Sequence, residues 1–130
     1  MKAQIIVDKV SRKIICTAFA NGKTHDFALF KASGVRIVPE IQAKVDTGYI
    51  GIKKLHENSQ LPVKRSKYHK LTPAEKQYNH QISSQRVTNE HTIGFLKRFK
   101  ILAERYRNRR KRYALRVNLL AGLCNFDLFA

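Results

Sequence analysis

The segment Thr72-Pro73-Ala74-Glu75 divides this 130-residue chain into two differently patterned parts. A threonine before a proline, with a glutamate three positions after the threonine, is the signature of a helix N-terminus. No proline follows this segment, and apolar residues recur at helical spacing as far as Tyr106. The pattern predicts one long helix that runs to about Tyr106 and a second helix over residues 110–126.

Short apolar segments precede this helix start. Residues 2–8 and 12–20 predict an antiparallel hairpin, and residues 27–33, closed by Gly34, predict a short helix. Residues 41–45 predict a strand that ends at Asp46.

A further short strand is predicted over residues 61–63, followed by a basic loop over residues 64–70. These elements together predict the α/β class, with a mixed sheet in the first half and long C-terminal helices. The length predicts a single domain, residues 1–130.

The charge is unevenly distributed. The chain has 26 Lys and Arg against 9 Asp and Glu, a formal net charge of +17, and residues 64–116 alone account for +13. Self-repulsion at this charge favours a polyanionic partner, which for a basic protein is usually nucleic acid. The uneven distribution indicates a scaffold that carries a binding surface in its second half.

Several classes of protein are excluded because the sequence patterns typical of them do not occur in this chain. No apolar run approaches the ~20 residues of a membrane span, and the N-terminus does not have the pattern of a signal peptide. The two cysteines, Cys16 and Cys124, lie in apolar segments and predict reduced core residues of a cytoplasmic protein. Neither a zinc-ligand spacing nor a glycine-rich phosphate loop occurs, and no pattern indicates a small-molecule substrate.

Asp46 is the first candidate site residue. It ends a predicted strand and enters the glycine-punctuated turn Thr47–Gly51, a position where α/β sheets present functional side chains. The alternative is a turn aspartate that only accepts hydrogen bonds from backbone N–H groups.

Glu90 is the second candidate. On one continuous helix, Arg86, Glu90, Ile93 and Lys97 would share a face. Either Arg86 and Glu90 form only a solvent-exposed ion pair on this face, or Glu90 is a metal ligand flanked by cations that hold phosphates.

The remaining acidic residues are weaker candidates. Asp8 is predicted to be a turn residue, and Glu104 is a weaker candidate than Glu90 for the metal-binding glutamate. Asp26 is predicted to be a helix N-cap, with the alternative that it faces the same site as Asp46. Carboxylates suit Mg²⁺, and two such ions can promote phosphodiester cleavage.

The tract from residue 97 to 116 is strongly basic, with nine Lys and Arg and one acidic residue between positions 97 and 112. Three of its cations, Arg109, Arg110 and Lys111, fall in the first turn of a predicted helix, where the helix dipole disfavours them. Phosphate binding explains them; the alternatives are a solvated basic face or an amphipathic membrane-binding or calmodulin-binding helix.

Several of these segments resemble the DDE superfamily of transposases, in the class named for insertion sequence five. Val45–Gly51 with Leu55-His56 resembles the motif of the second catalytic aspartate, and Arg86–Lys97 resembles the signature around the catalytic glutamate. Gly22–Phe27 resembles the His-Asp segment of the family, and Phe99–Arg112 resembles its basic C-terminal region.

The resemblance implies the C-terminal portion of an RNase H-like catalytic endonuclease domain, which cleaves and transfers DNA strands. It makes Asp46 and Glu90 catalytic ligands of Mg²⁺ or Mn²⁺, with a two-metal site only in the complete domain. The DNA contacts that it implies, with the basic tract, are Arg86, Lys97, Arg98, Lys100, Arg107, Arg109, Arg110, Lys111 and Arg112. For Arg86 and Lys97 the alternative that it implies is to orient Glu90.

The first catalytic aspartate of the family would precede residue 1. We therefore expect that the chain alone is inactive, and that it associates with an N-terminal half or with further copies of itself. The expected location is the bacterial cytoplasm, on the nucleoid when bound to DNA. The alternatives are a non-catalytic nucleic-acid-binding remnant or regulator, and a ribosome-associated basic protein.

Overall fold

A computed structural model describes residues 1–99 and 112–127, apart from the side chain of Thr88. Two short 3₁₀ turns, Thr47–Tyr49 and Ile52–Lys54, lie between its longer elements. The helices and strands of these ranges are, in chain order, β1 (Lys2–Val7), β2 (Ile14–Ala20), α1 (Asp26–Ser33), β3 (Ala43–Lys44), β4 (Ser59–Gln60), α2 (Pro73–Gln85), α3 (Val87–Leu96) and α4 (Tyr113–Asp127). The predicted α/β class is confirmed.

The strands form two small sheets, whereas the sequence predicted one mixed sheet. β1 and β2 pair antiparallel, and β3 and β4 pair parallel over two residues each. The chain likewise divides into two compact units, one made of Met1–Thr24 and Thr88–Ala130 and the other of His25–Val87.

The first unit contains the predicted β1–β2 hairpin. Asp8 shapes its turn, because the Asp8 carboxylate accepts hydrogen bonds from the Val10 N–H and the Ser11 hydroxyl, each at 3.0 Å. These bonds favour the charged carboxylate and lower the pKa of Asp8. The prediction of a turn residue is therefore confirmed.

The α4 helix packs on this hairpin through one apolar stripe. The four positions predicted for this stripe, Tyr113, Val117, Leu120 and Cys124, are all buried. Asn125 adds a polar connection, because its side-chain amide accepts from the N–H of Ile14 at 2.8 Å and donates to its carbonyl at 2.9 Å. Of the two cysteines, both free, Cys124 is buried and Cys16 is half-buried.

The second unit is built around α1, β3, β4 and α2. His25 is the N-cap of α1, so the prediction that Asp26 is the N-cap was wrong; Asp26 is the first helical residue. Gly34 closes the helix, as predicted, with a left-handed φ of 68° that favours glycine. The α2 helix begins as predicted with a full capping box between Thr72 and Glu75.

The strand predicted over residues 61–63 was wrong, because β4 occupies Ser59–Gln60. Pro62 lacks the N–H that a ladder needs. Both backbone groups of Val63 bond to the side chain of Asn79 on α2, at 2.7 and 2.9 Å, and are not available to a strand.

The single long helix predicted from Thr72 to Tyr106 was also wrong. It is interrupted at Arg86, whose N–H is shared among the carbonyls of the preceding turn. The Ser84 hydroxyl bonds to the carbonyl of His80 at 3.0 Å, a contact that often bends helices. The following helix, α3, buries Leu96, whereas Phe99, which lies beyond the end of α3, is 36% exposed.

Candidate functional site

The Asp46 carboxylate is held at the start of the first 3₁₀ turn. The strand pairing continues to the preceding residue, since the Val45 N–H donates to the Gln60 carbonyl at 3.0 Å. Asp46 is the N-cap of the turn, and its Oδ1 accepts from the Gly48 N–H and the Thr47 hydroxyl, each at 3.2 Å. The side chain is 52% exposed, so a well-oriented carboxylate is presented to solvent.

Arg86 places a cation beside this carboxylate. Its Nη2 lies 3.9 Å from Asp46 Oδ2. Its Nε is buried and has no hydrogen-bond partner within the described ranges. Because Arg86 is the C-cap of α2 and α3 begins after it, the prediction that Arg86 and Glu90 share one face of a continuous helix was wrong.

Asp26 lies on another side of the same turn. A Cβ placed on Gly48 would overlap Asp26 Oδ2 and would lie 3.2 Å from its Cγ and 3.3 Å from its Cβ. A side chain at position 48 would therefore displace Asp26. The alternative that Asp26 faces the Asp46 site is thus supported.

Tyr49 lies close enough to Asp26, Asp46 and Arg86 for their charges to affect its pKa. Burial and, to a smaller extent, the negative charges of Asp26 and Asp46 together raise the pKa of Tyr49 to about 12, while the positive charge of Arg86 acts in the opposite direction. Its ring packs edge-on against Phe30 of α1, with the centroids 6.3 Å apart. Tyr49 was not singled out from the sequence, because Asp26, Phe30 and Arg86 come from distant positions in the chain.

Glu90 belongs to the other unit, where it is exposed in the first turn of α3. Of the predicted DNA contacts, Lys97 and Arg98 follow α3 and are exposed, and Arg112 is exposed just before α4. The Arg98 guanidinium also lies 5.6 Å from the centroid of the Phe95 ring. The remaining predicted positions lie outside the described residues: Lys100, Glu104, Arg107, Arg109, Arg110 and Lys111.

The donor chemistry of the site suits a hard divalent cation, since Asp46 offers an exposed carboxylate oxygen. Within residues 1–99 and 112–127, no group of three or more His, Cys, Asp or Glu side chains is arranged to hold a metal ion. Asp46 is therefore suited to be one ligand of such an ion. Across the same ranges, no helix has the length and apolar character to cross a membrane.

Comparison with known proteins gives a consistent result. The chain is 41% identical over 128 residues to a protein of Microchaete diplosiphon described as a probable transposase for insertion sequence element IS702. The alignment covers 98% of this chain and 46% of that relative, so the chain spans less than half of the relative's length. No solved structure matches. The family described as DDE superfamily endonuclease matches residues 1–125, and the chain belongs to this family.

Proposed function

We propose that this chain is the C-terminal portion of a transposase-type DDE endonuclease, which cleaves and transfers DNA strands with a divalent metal ion. The observation that carries the proposal is the 3₁₀ turn Thr47–Tyr49 with its N-cap Asp46, which we call the Asp46 turn. In it a fixed and exposed carboxylate lies beside the Arg86 guanidinium. Membership of the family and the similarity to a transposase support it. Assignment to the class named for insertion sequence five is part of the proposal and rests on the motifs around Asp46 and Glu90.

In this proposal Asp46 and Glu90 are two of the carboxylates that hold Mg²⁺ or Mn²⁺. The metal would activate a water molecule and stabilise the leaving oxygen of the phosphodiester. The chain contributes the orientation of the ligands: the Gly48 N–H and the Thr47 hydroxyl fix Oδ1 of Asp46, and Arg86 lies on the side of Oδ2.

The DNA partner is supported by the charge of the chain. A net charge of +17 favours binding to a polyanion, and the exposed Lys97, Arg98 and Arg112 belong to its most basic tract. Binding to transposon ends and target DNA would place the protein on the bacterial nucleoid. Association with an N-terminal half, or with further copies of the chain, would complete the set of carboxylates.

The test is a chimaera in which this chain replaces the matched 46% of the Microchaete diplosiphon relative. We expect nicking of supercoiled DNA that carries the relative's element ends, with Mn²⁺ or Mg²⁺ and not with Ca²⁺ alone. Asp46→Asn and Glu90→Gln should each abolish nicking while leaving DNA binding intact. The matched controls Glu57→Gln and Asp127→Asn, which change other exposed acidic residues, should keep it.

Persistent nicking by the Asp46→Asn chimaera would contradict the assigned role of Asp46. The 130-residue chain alone should bind DNA in a salt-sensitive manner and should not nick it. Metal-dependent nicking by this chain alone, abolished by Asp46→Asn, would show that the isolated portion already holds a complete site.

A further inference from the structure

The loop of residues 64–70, between β4 and α2, concentrates positive charge in a short segment of the chain. Its sequence is Lys-Arg-Ser-Lys-Tyr-His-Lys, with four Lys and Arg and no acidic residue, and all seven residues are exposed. We call it the basic loop. Within the described part of the chain, none of its Lys or Arg side chains forms an ion pair. These cations therefore remain free to meet phosphates.

The basic loop is fastened to α2 at both ends. Just before it, Val63 exchanges two backbone hydrogen bonds with the side chain of Asn79, at 2.7 and 2.9 Å. Near its other end, the Nε2 of His69 lies 3.0 Å from both carboxylate oxygens of Glu75. These contacts order the loop before any ligand binds, so the loop loses less conformational entropy on binding.

A tight turn at the end of the loop displays a tyrosine. Ser66 and His69 exchange backbone hydrogen bonds at 3.0 and 3.4 Å, and the His69 N–H also donates to the Ser66 hydroxyl at 3.0 Å. Tyr68, inside this turn, is 92% exposed, more than any other aromatic side chain among the described residues. The Lys67 ammonium lies 5.8 Å from the centroid of its ring.

An exposed aromatic ring among unpaired cations is the combination with which proteins bind single-stranded nucleic acids. The cations follow the phosphate backbone, and the ring stacks on a base. Duplex DNA offers the same phosphates, but the faces of its bases are covered by their neighbours. Tyr68 therefore favours a strand in which at least one base is unpaired.

We propose that the basic loop is a binding site for unpaired DNA, in which Lys64, Arg65, Lys67 and Lys70 contact phosphates and Tyr68 stacks on an exposed base. This inference rests on the proposed function for the choice of DNA as the ligand. The proposed site consists of residues other than Asp46, Glu90 and the basic tract at residues 97–116. It binds the strand, and it takes no part in the cleavage step.

The test uses the complete 130-residue chain and a fluorescent 12-nucleotide DNA strand that carries a 2-aminopurine base, compared with the duplex of the same sequence. Tyr68→Ala should weaken single-strand binding about 5- to 150-fold, the loss expected for one base–aromatic stack. It should also remove the quenching of 2-aminopurine by stacking and leave duplex binding unchanged. Tyr68→Phe should retain the single-strand binding and the quenching, and Tyr78→Ala on α2 is the matched control.

The charges are tested by salt dependence. Replacing Lys64, Arg65, Lys67 and Lys70 together by glutamine should reduce the slope of log K against log salt for the single strand by about 3, since each phosphate contact contributes about 0.7. A single Lys76→Gln change, at an exposed position on α2, should leave the slope nearly unchanged. Far-UV circular dichroism should be the same for all variants because the replaced side chains are exposed.

Three results would overturn the inference. Equal losses of single-strand and duplex binding in Tyr68→Ala would show general charge binding, and unchanged quenching would exclude stacking. Tighter binding of the same sequence as RNA, or of an acidic peptide, would assign the loop to another partner. Each leaves the proposed function standing, because that is judged by nicking in the Asp46→Asn chimaera.

Discussion

Replacing Gly48 by alanine would test how closely Asp26 and the Asp46 turn are packed. The added Cβ would overlap Asp26 Oδ2 and would lie 3.2 Å from its Cγ and 3.3 Å from its Cβ. Rotation of the Asp26 carboxylate can relieve the first two contacts, but its Cβ is fixed by the α1 backbone. Overpacking of this kind costs about 1–3 kcal/mol. We therefore expect Gly48→Ala to lower the free energy of unfolding by about that amount.

The measurement is urea unfolding of the 130-residue chain followed by far-UV circular dichroism. Gly122→Ala on α4 is the matched control, because a Cβ there meets nothing within 4 Å. Alanine is the better helix former, so this control should raise the free energy of unfolding by about 0.5–1 kcal/mol.

A double-variant cycle identifies the residue responsible for the loss. Asp26→Ala removes the Oδ2 and Cγ atoms, so adding it to Gly48→Ala should recover most of the stability lost by Gly48→Ala. A coupling free energy of at least 1 kcal/mol is expected for two side chains in direct contact. A Gly48→Ala chain as stable as the wild type, or one whose loss is independent of residue 26, would refute the packing described here.

Three further predictions concern other parts of the chain. Thr72→Ala removes the capping box of α2 and should lower the free energy of unfolding by about 1 kcal/mol, measured in urea, whereas Thr72→Ser should preserve it. Asn125→Ala leaves both backbone groups of Ile14 without their partner and should cost about 1–3 kcal/mol in the same assay, more than Asn21→Ala in an exposed turn. For Tyr49, whose pKa is raised to about 12, the folded chain keeps a proton that the unfolded chain releases near pH 10. Its contribution to stability is therefore present below pH 10 and lost as pH rises through 12; Tyr49→Phe should show less alkaline destabilisation than the wild type in thermal melts, and an equal pH dependence would contradict the assignment.

Local chemistry made several elements predictable from the sequence. The capping box at Thr72 and the left-handed closure at Gly34 depend on residues within one turn of each helix end. The α4 stripe was predictable because a helix with one buried face repeats its apolar residues every three to four positions. The position of Asp46 was also predictable, because it lies at a junction of strand and turn that is formed by its neighbours in the sequence.

Contacts between distant parts of the chain were not predictable in this way. The approach of Asp26 to Gly48 joins α1 to a turn that follows β3, and no periodicity reports such a contact. The pairing of Val63 with Asn79 likewise replaces a strand by a side-chain connection. Short apolar runs such as residues 61–63 are compatible with either outcome until the partner is known.

The interruption at Arg86 shows why the spacing of a signature is not evidence of a shared helix face. Arginine and glutamate four positions apart would be neighbours on one continuous helix, and the sequence offered no proline or glycine between them. In the structure Arg86 ends α2 and lies beside Asp46, while Glu90 belongs to α3. The spacing therefore keeps a cation at one candidate ligand and begins the helix that carries the other.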